Sequence, residues 1–204
     1  NADDLEVLKR FGAPAVFFEV GQNLGSLKAD RLVPTQAAAA SRRLLASGAV
    51  VANHSYTHAL LPKLGESDLA REIELTNRAL AELADARAPL FRPPYGARNA
   101  RVLAALRERG MKSMLWNVDS RDWADPVPRS IASRVIRTAE EQGHGIVLFH
   151  DIHARTVEAL PLVIETLQSR GYRFVAWDAP AGPAPARRGM YRESWAVVVG
   201  IDAY

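Results

Sequence analysis

The amino-acid sequence predicts an α/β protein with parallel strands. Short apolar runs alternate along it with segments of helical periodicity, and a glycine follows five of those segments, at Gly12, Gly48, Gly110, Gly143 and Gly171. Glycine suits the left-handed residue that ends a helix and turns the chain into the next strand. Alternation at this spacing calls for right-handed crossovers, which leaves two architectures, a barrel or a doubly wound sheet. Polar clusters at the C-terminal ends of four strand-like runs are the third observation, because α/β barrels gather their chemistry at that end.

The elements follow in order. Asp4–Phe11 is an amphipathic helix with Leu5, Leu8 and Phe11 at helical spacing. Asp3 and Asp4 stand at its start, where the helix dipole favours acids. Ala15–Val20 is the first strand; Thr35–Ser47 is helical and Ala49–Asn53 is the second strand. Ser67–Asp85 is a long helix, with Ser67 and Asp68 as its N-cap region. Strand Leu90–Tyr95, helix Asn99–Arg109 and strand Lys112–Val118 come next. Helix Pro128–Gln142, strand Gly145–His150, helix Thr156–Arg170 and strand Arg173–Trp177 complete the rhythm. The stretch Ala179–Arg188, rich in alanine, proline and glycine, breaks it and reads as linker. The expected organisation is one domain over residues 1–178, a linker over 179–193 and an extra strand over 194–204.

The 204 residues suffice for one sizeable core. Hydrophobic residues make up 48% and charged residues 24%, an ordinary balance for a globular domain. The net charge of +3 comes from scattered arginines without a basic stripe, which argues against a nucleic-acid partner. No run is long and apolar enough to span a membrane, and the acidic N-terminus has no signal-peptide pattern. The absence of cysteine removes disulfides, thiolate metal sites and a cysteine nucleophile.

His54 and His58 follow the apolar run Ala49–Ala52. Two imidazoles four residues apart converge on one metal ion if the backbone turns helical there; otherwise they are ordinary polar loop residues. Phe91-Arg92-Pro93-Pro94-Tyr95-Gly96 closes the third run. Its paired prolines fix the backbone, Arg92 can grip a carboxylate, and Tyr95 can offer its main-chain N–H to a ligand. Trp116–Trp123 closes the fourth with Asp119, Asp122 and Trp123, a combination suited to sugars because an indole stacks on a pyranose. His150 ends the fifth run, where a general acid or base would stand, with Asp151 and His153 after it.

In this order H-S-x-x-H, R-x-P-Y, D-x-x-D-W and L-x-H resemble the polysaccharide deacetylase family, the NodB homology domain or family 4 carbohydrate esterases. The resemblance runs from about Leu5 to Trp177. It implies a distorted (β/α) barrel and metal-dependent removal of N-acetyl groups from an N-acetylglucosamine-containing glycan, outside the cytoplasm in a mature form without signal peptide. His54 and His58 would hold a divalent ion, most readily Zn, with Co, Ni and Fe as alternatives. Ser55 and Thr57 would position that loop. Arg92 would orient the general-base aspartate, and the Tyr95 N–H would hold the oxyanion. His150 would be the general acid, kept protonated by Asp119, with Asp122 as rival for that task. Trp123 and Leu148 would line the acetyl pocket, with Pro94 and Asp122 among the substrate-binding residues. A glycan-binding module and a small-molecule amidohydrolase of related fold are the alternatives.

One family feature is missing from this chain: the opening strand with T-F-D-D-G, whose aspartates supply the base and a third metal ligand. Asp3 and Asp4 have no strand before them and are helix-start acids. A preceding segment lying outside this sequence, a binding remnant, or the run Trp195–Asp202 taking the strand's place with Asp202 as substitute carboxylate would each account for it. The last requires Asp202 to lie beside the histidine pair. The same run, Ser194–Tyr204, is similar to the opening strand of caspase-like domains, which implies such a domain beyond it in a parent chain.

Overall fold

The computed structural model describes residues 2–28, 31–84, 90–176 and 196–203. They form two compact units, one built on Phe17–Leu115 with Asp202, the other on Asp3–Val16 and Trp116–Ile201. Helix α1 (Ala2–Phe11) leads into strand β1 (Ala15–Glu19), whose residues AVFFE are all buried. The first four residues of β1 are apolar, as in a strand covered on both faces, and the buried Glu19 accepts the Ser41 hydroxyl at 2.8 Å.

In the first unit β1 is followed by one turn of helix, α2 (Gly21–Leu24), and a hairpin of β2 (Gly25–Lys28) and β3 (Arg31–Pro34). Then come α3 (Ala38–Ala46), β4 (Val50–Asn53), α4 (Glu66–Ala84), β5 (Leu90–Phe91), α5 (Ala100–Glu108) and β6 (Lys112–Ser113). The strands lie in the order β6-β5-β4-β1, and β5 pairs in parallel with both β4 and β6. Helix α4 buries Leu69, Ile73 and Leu80 along one stripe, the helical spacing that covers a sheet. Glu72 and Thr76 lie on that same stripe and are also buried.

The second unit holds β7 (Val118–Asp119), α6 (Pro128–Gln142), β8 (Gly145–His150), α7 (Ala154–Ser169), β9 (Arg173–Phe174) and β10 (Ala196–Ala203) as far as Ile201. Its order is β10-β8-β7, with β9 on β10; the β7–β8 and β9–β10 pairs are parallel. Gly145 is required where β8 begins, because a Cβ there would stand 2.7 Å from Val118 Cγ2. On α1, Leu5 and Leu8 are buried as their spacing demands, and Asp4 is fully buried among them.

Four expectations are corrected. Leu90–Tyr95 is strand only at Leu90–Phe91 and then turns as a 3-10 segment at Pro94–Gly96, because proline has no N–H for a ladder. Lys112–Val118 is two strands, β6 and β7, one in each unit. The helix expected over Thr35–Ser47, α3, spans Ala38–Ala46, and the pattern of the preceding residues does not announce the α2 turn or the β2–β3 hairpin. The linker 179–193, with Trp177, Ser194, Trp195, Tyr204 and the helix end at Asp85, lies outside the described residues.

Candidate active site

β4 ends at Asn53, and the chain continues through His54 and His58. The loop is not helical: Ser55 and His58 both adopt left-handed backbone, with φ of 67° and 61°. Asn53 builds this bend. Its Oδ1 accepts the Ser55 N–H at 2.7 Å, while its Nδ2 donates to the Ile73 carbonyl and to Asn77 Oδ1, both on α4. The Ser55 hydroxyl oxygen accepts the His58 N–H at 3.0 Å. The expected helical turn is thus replaced by a left-handed bend, which sets the two imidazole centroids 4.8 Å apart.

His54 is almost fully buried and doubly anchored. Its N–H donates to the Glu19 carbonyl at 2.9 Å, and its Nδ1 stands 2.7 Å from the Arg92 carbonyl. A carbonyl only accepts, so Nδ1 carries a proton, and in the neutral form of the ring Nε2 bears the lone pair. Metal-binding histidines are commonly fixed in this way. His54 Nε2 and the neighbouring His58 ring are the nitrogen donors that would hold a divalent ion. Among the described residues no group of three or more histidine, aspartate or glutamate side chains is arranged to hold a metal.

Arg92 is completely buried. Its guanidinium lies 4.1 Å from the Phe18 ring centroid, and its Nη1 donates to Asp202 Oδ1 at 2.8 Å. Asp202, buried near the end of β10, has its Oδ2 3.4 Å from His54 Nε2. The last strand thus brings a carboxylate to the histidine pair. Tyr95 is exposed and left-handed, with φ of 59°, and its ring packs edge-on against His58 at 4.7 Å. Pro94 is buried beneath that turn.

In the second unit His150 ends β8 and is held by Asp122, not by Asp119. Its backbone N–H donates to Asp122 Oδ2 at 2.7 Å, and its Nδ1 lies 2.6 Å from Asp122 Oδ1. The Thr156 hydroxyl adds a third bond to the same carboxylate, at 2.6 Å. Burial pushes the Asp122 carboxyl up, but the His150 and Thr156 hydrogen bonds and the imidazole charge outweigh it and hold it below the usual carboxylate range. Asp119 instead accepts the Arg121 N–H at 2.9 Å, in a turn where Arg121 is left-handed. Trp123 and Ile152 present exposed apolar surface, 58% and 55% accessible, whereas Leu148 is buried within β8. Burial, with Arg155 adding to it, lowers the pKa of His153, whose ring lies 6.3 Å from His150.

Two groups escaped the motif reading. Glu72, on α4, accepts hydrogen bonds from the histidine loop; its signal was an acid on an apolar stripe. Asn53 reads in the sequence only as a strand end.

The chain is similar in sequence and fold to known proteins. A family model described as polysaccharide deacetylase matches residues 2–114. The chain belongs to the polysaccharide deacetylase family. It is 31% identical over 172 residues to the peptidoglycan-N-acetylmuramic acid deacetylase PdaC of Bacillus subtilis, covering 84% of this chain and 33% of that protein. It is 32% identical over 182 residues to a chitooligosaccharide deacetylase of Rhizobium leguminosarum bv. trifolii, covering 82% of this chain and 79% of that protein. A family 4 carbohydrate esterase from Streptomyces lividans, solved in complex with acetate, superposes with a TM-score of 0.72 at 31% identity, over 83% of this chain and 81% of that one. The α/β fold is that of these esterases. The chain spans about a third of the length of PdaC and of the Listeria monocytogenes peptidoglycan-N-acetylglucosamine deacetylase PgdA.

Proposed function

We propose that this chain hydrolyses N-acetyl groups from an N-acetylglucosamine-containing glycan, outside the cytoplasm and with a divalent metal ion. The observation that carries the reading is the histidine pair, with His54 fixed through Nδ1 on a carbonyl and an Arg92–Asp202 ion pair against its other nitrogen. Peptidoglycan and chitooligosaccharide deacetylases among the relatives support the substrate class.

When bound at His54 and His58, the ion supplies Lewis acidity toward the acetyl carbonyl; imidazole donors suit Zn first, then Co, Ni or Fe. Asp202, held by Arg92, takes the proton of the attacking water. The Tyr95 N–H donates to the developing oxyanion. His150, oriented through Nδ1 by Asp122, gives a proton to the departing amine, which is otherwise a poor leaving group. The C–N bond breaks, leaving acetate and a free amine on the sugar. Trp123 stacks on the sugar, while Leu148 and Pro94 stiffen the walls of the acetyl pocket and Asp119 shapes the turn before Asp122.

A second reading is a glycan-binding module without turnover, favoured by the lack of a three-donor metal set among the described residues. Acetate release from N-acetylglucosamine oligomers, with and without added Zn²⁺ or Co²⁺, decides between them. Metal-stimulated release that disappears in His58→Ala is the expected result. Oligomer binding without release, at any metal concentration, selects the binding module. Release confined to small acetamides selects an amidohydrolase.

A further inference from the structure

We propose that Glu72 is the positioning residue of the histidine loop, fixing His58 against an already anchored His54; this rests on the metal-site reading above. Glu72 is buried on the sheet-facing stripe of α4, a place its pattern reserves for apolar side chains. Burying a carboxylate there is costly unless donors surround it. The donors come from between the two histidines. Oε2 accepts the N–H groups of Tyr56 at 3.0 Å and Thr57 at 2.9 Å, and Oε1 accepts the Thr57 hydroxyl at 2.7 Å. One carboxylate thus satisfies two of the three backbone donors of the segment separating the histidines; the third, the Ser55 N–H, goes to Asn53 Oδ1.

The consequence is asymmetric. His54 is fixed independently, by the Glu19 and Arg92 carbonyls. His58 sits in left-handed backbone. The Tyr56–Thr57 approach to it is braced by the bonds to Glu72 and by the Ser55 hydroxyl, while the Tyr56 carbonyl accepts the Gln22 N–H at 2.9 Å and the Tyr56 hydroxyl donates to the Gly25 carbonyl at 3.2 Å; of these, only the Glu72 bonds hold the Tyr56 and Thr57 N–H groups. A left-handed non-glycine residue persists only where its surroundings over-determine it. Removing the Glu72 acceptor lets the loop relax and moves His58 while His54 stays.

The test compares the 204-residue chain with Glu72→Met, which fills the same buried place on the apolar stripe but offers no oxygen acceptor. Thr57→Val, which removes a single bond at an exposed residue, serves as the milder variant. Calorimetric titration with Zn²⁺ should give a Kd raised about ten- to hundredfold in Glu72→Met, the range typical of losing a ligand's supporting partner, and a smaller rise in Thr57→Val. Amide hydrogen exchange on the metal-free proteins supplies the second readout. The Tyr56 and Thr57 amides should exchange faster in Glu72→Met, and the His54 amide should not. An unchanged Zn²⁺ Kd in both variants overturns the positioning role and leaves the metal site standing. Exchange that accelerates equally at His54 also overturns it, by making Glu72 a general support of the fold. No Zn²⁺ uptake by the unaltered chain overturns the metal site and this role together.

Discussion

Replacing Asp122 with asparagine tests whether His150 owes its orientation and its proton to that carboxylate. The native carboxylate accepts three bonds, from the His150 N–H, His150 Nδ1 and the Thr156 hydroxyl, and is fully inaccessible to solvent. Two of these donors point at Oδ2 and one at Oδ1. Asparagine can keep its oxygen only at one of the two places. With the oxygen in place of Oδ2, its amide group faces His150 Nδ1 and forces that nitrogen to accept, which reverses the tautomer and disfavours the imidazolium. One charge-assisted hydrogen bond is lost, about 1.5–3 kcal/mol of stability at neutral pH. The general-acid contribution lost is roughly 10²–10⁴ in kcat. The pH dependence has a definite sign. Because the Asp122 pKa is depressed on folding, its stabilisation is present above the unfolded value of about 3.9 and is lost as pH falls through the folded value. The gap between the native chain and Asp122→Asn should therefore be widest near pH 7 and shrink in strong acid. Urea unfolding at pH 7 and pH 3, beside acetate-release kinetics with Zn²⁺ content checked, measures both effects. A variant with kcat within threefold of the native chain, or a stability gap that grows in acid, would refute the reasoning.

Three other outcomes are expected. Burial, with the charges of Asp151, Asp3 and Asp122 adding to it, raises the Asp4 pKa from 3.8 to about 7. A raised acid costs stability as pH climbs from about 4 to 7, by about 4 kcal/mol for this shift, so Asp4→Asn should melt higher than the native chain at pH 8 and alike at pH 4; equal melting temperatures at pH 8 would dismiss the buried charge. Asp202→Ala takes the carboxylate from a buried guanidinium and should cost about 3–5 kcal/mol in chemical denaturation, with acetate release lost; full activity would remove Asp202 from the reaction. Gly21→Ala would put its Cβ 2.2 Å from Thr76 Oγ1 and 2.7 Å from Tyr56 Cδ2, an overpacking of about 1–3 kcal/mol, and a melting temperature unchanged from the native chain would show that this contact yields freely.

The parallel α/β class was legible because crossovers impose a rhythm that apolar runs and helix-ending glycines record. The histidine loop was legible as a motif but not as a shape. Its expected helical turn is a left-handed bend, because Asn53 and Glu72 supply acceptors that no local pattern announces. Asp119 and Asp122 are equivalent in sequence, three residues apart after one strand. Only the turn at Arg121, which spends Asp119 on its own backbone, sends Asp122 to His150. Asp4 was read as a helix-start acid, and the helix does begin there, but helical spacing from Leu8 also places it inward. Asp202 could be named in advance only as one of three alternatives, since pairing across so many residues leaves no trace in spacing.

The Arg92–Asp202 bond joins residues 110 positions apart, and this has a consequence for biosynthesis. At translation rates of roughly 5–20 residues per second, the ribosome delivers Arg92 about 5–20 s before its acid. During that interval a nascent chain must either keep the arginine hydrated, with Phe18 and its neighbours open to water, or enclose a cation without Asp202. The first course leaves the surroundings of Arg92 open until β10 emerges. Long sequence separation also slows closure of the contact. Assembly of the histidine site therefore waits for β10, and chains stalled or clipped before Asp202 would carry the motif residues without the structure that uses them.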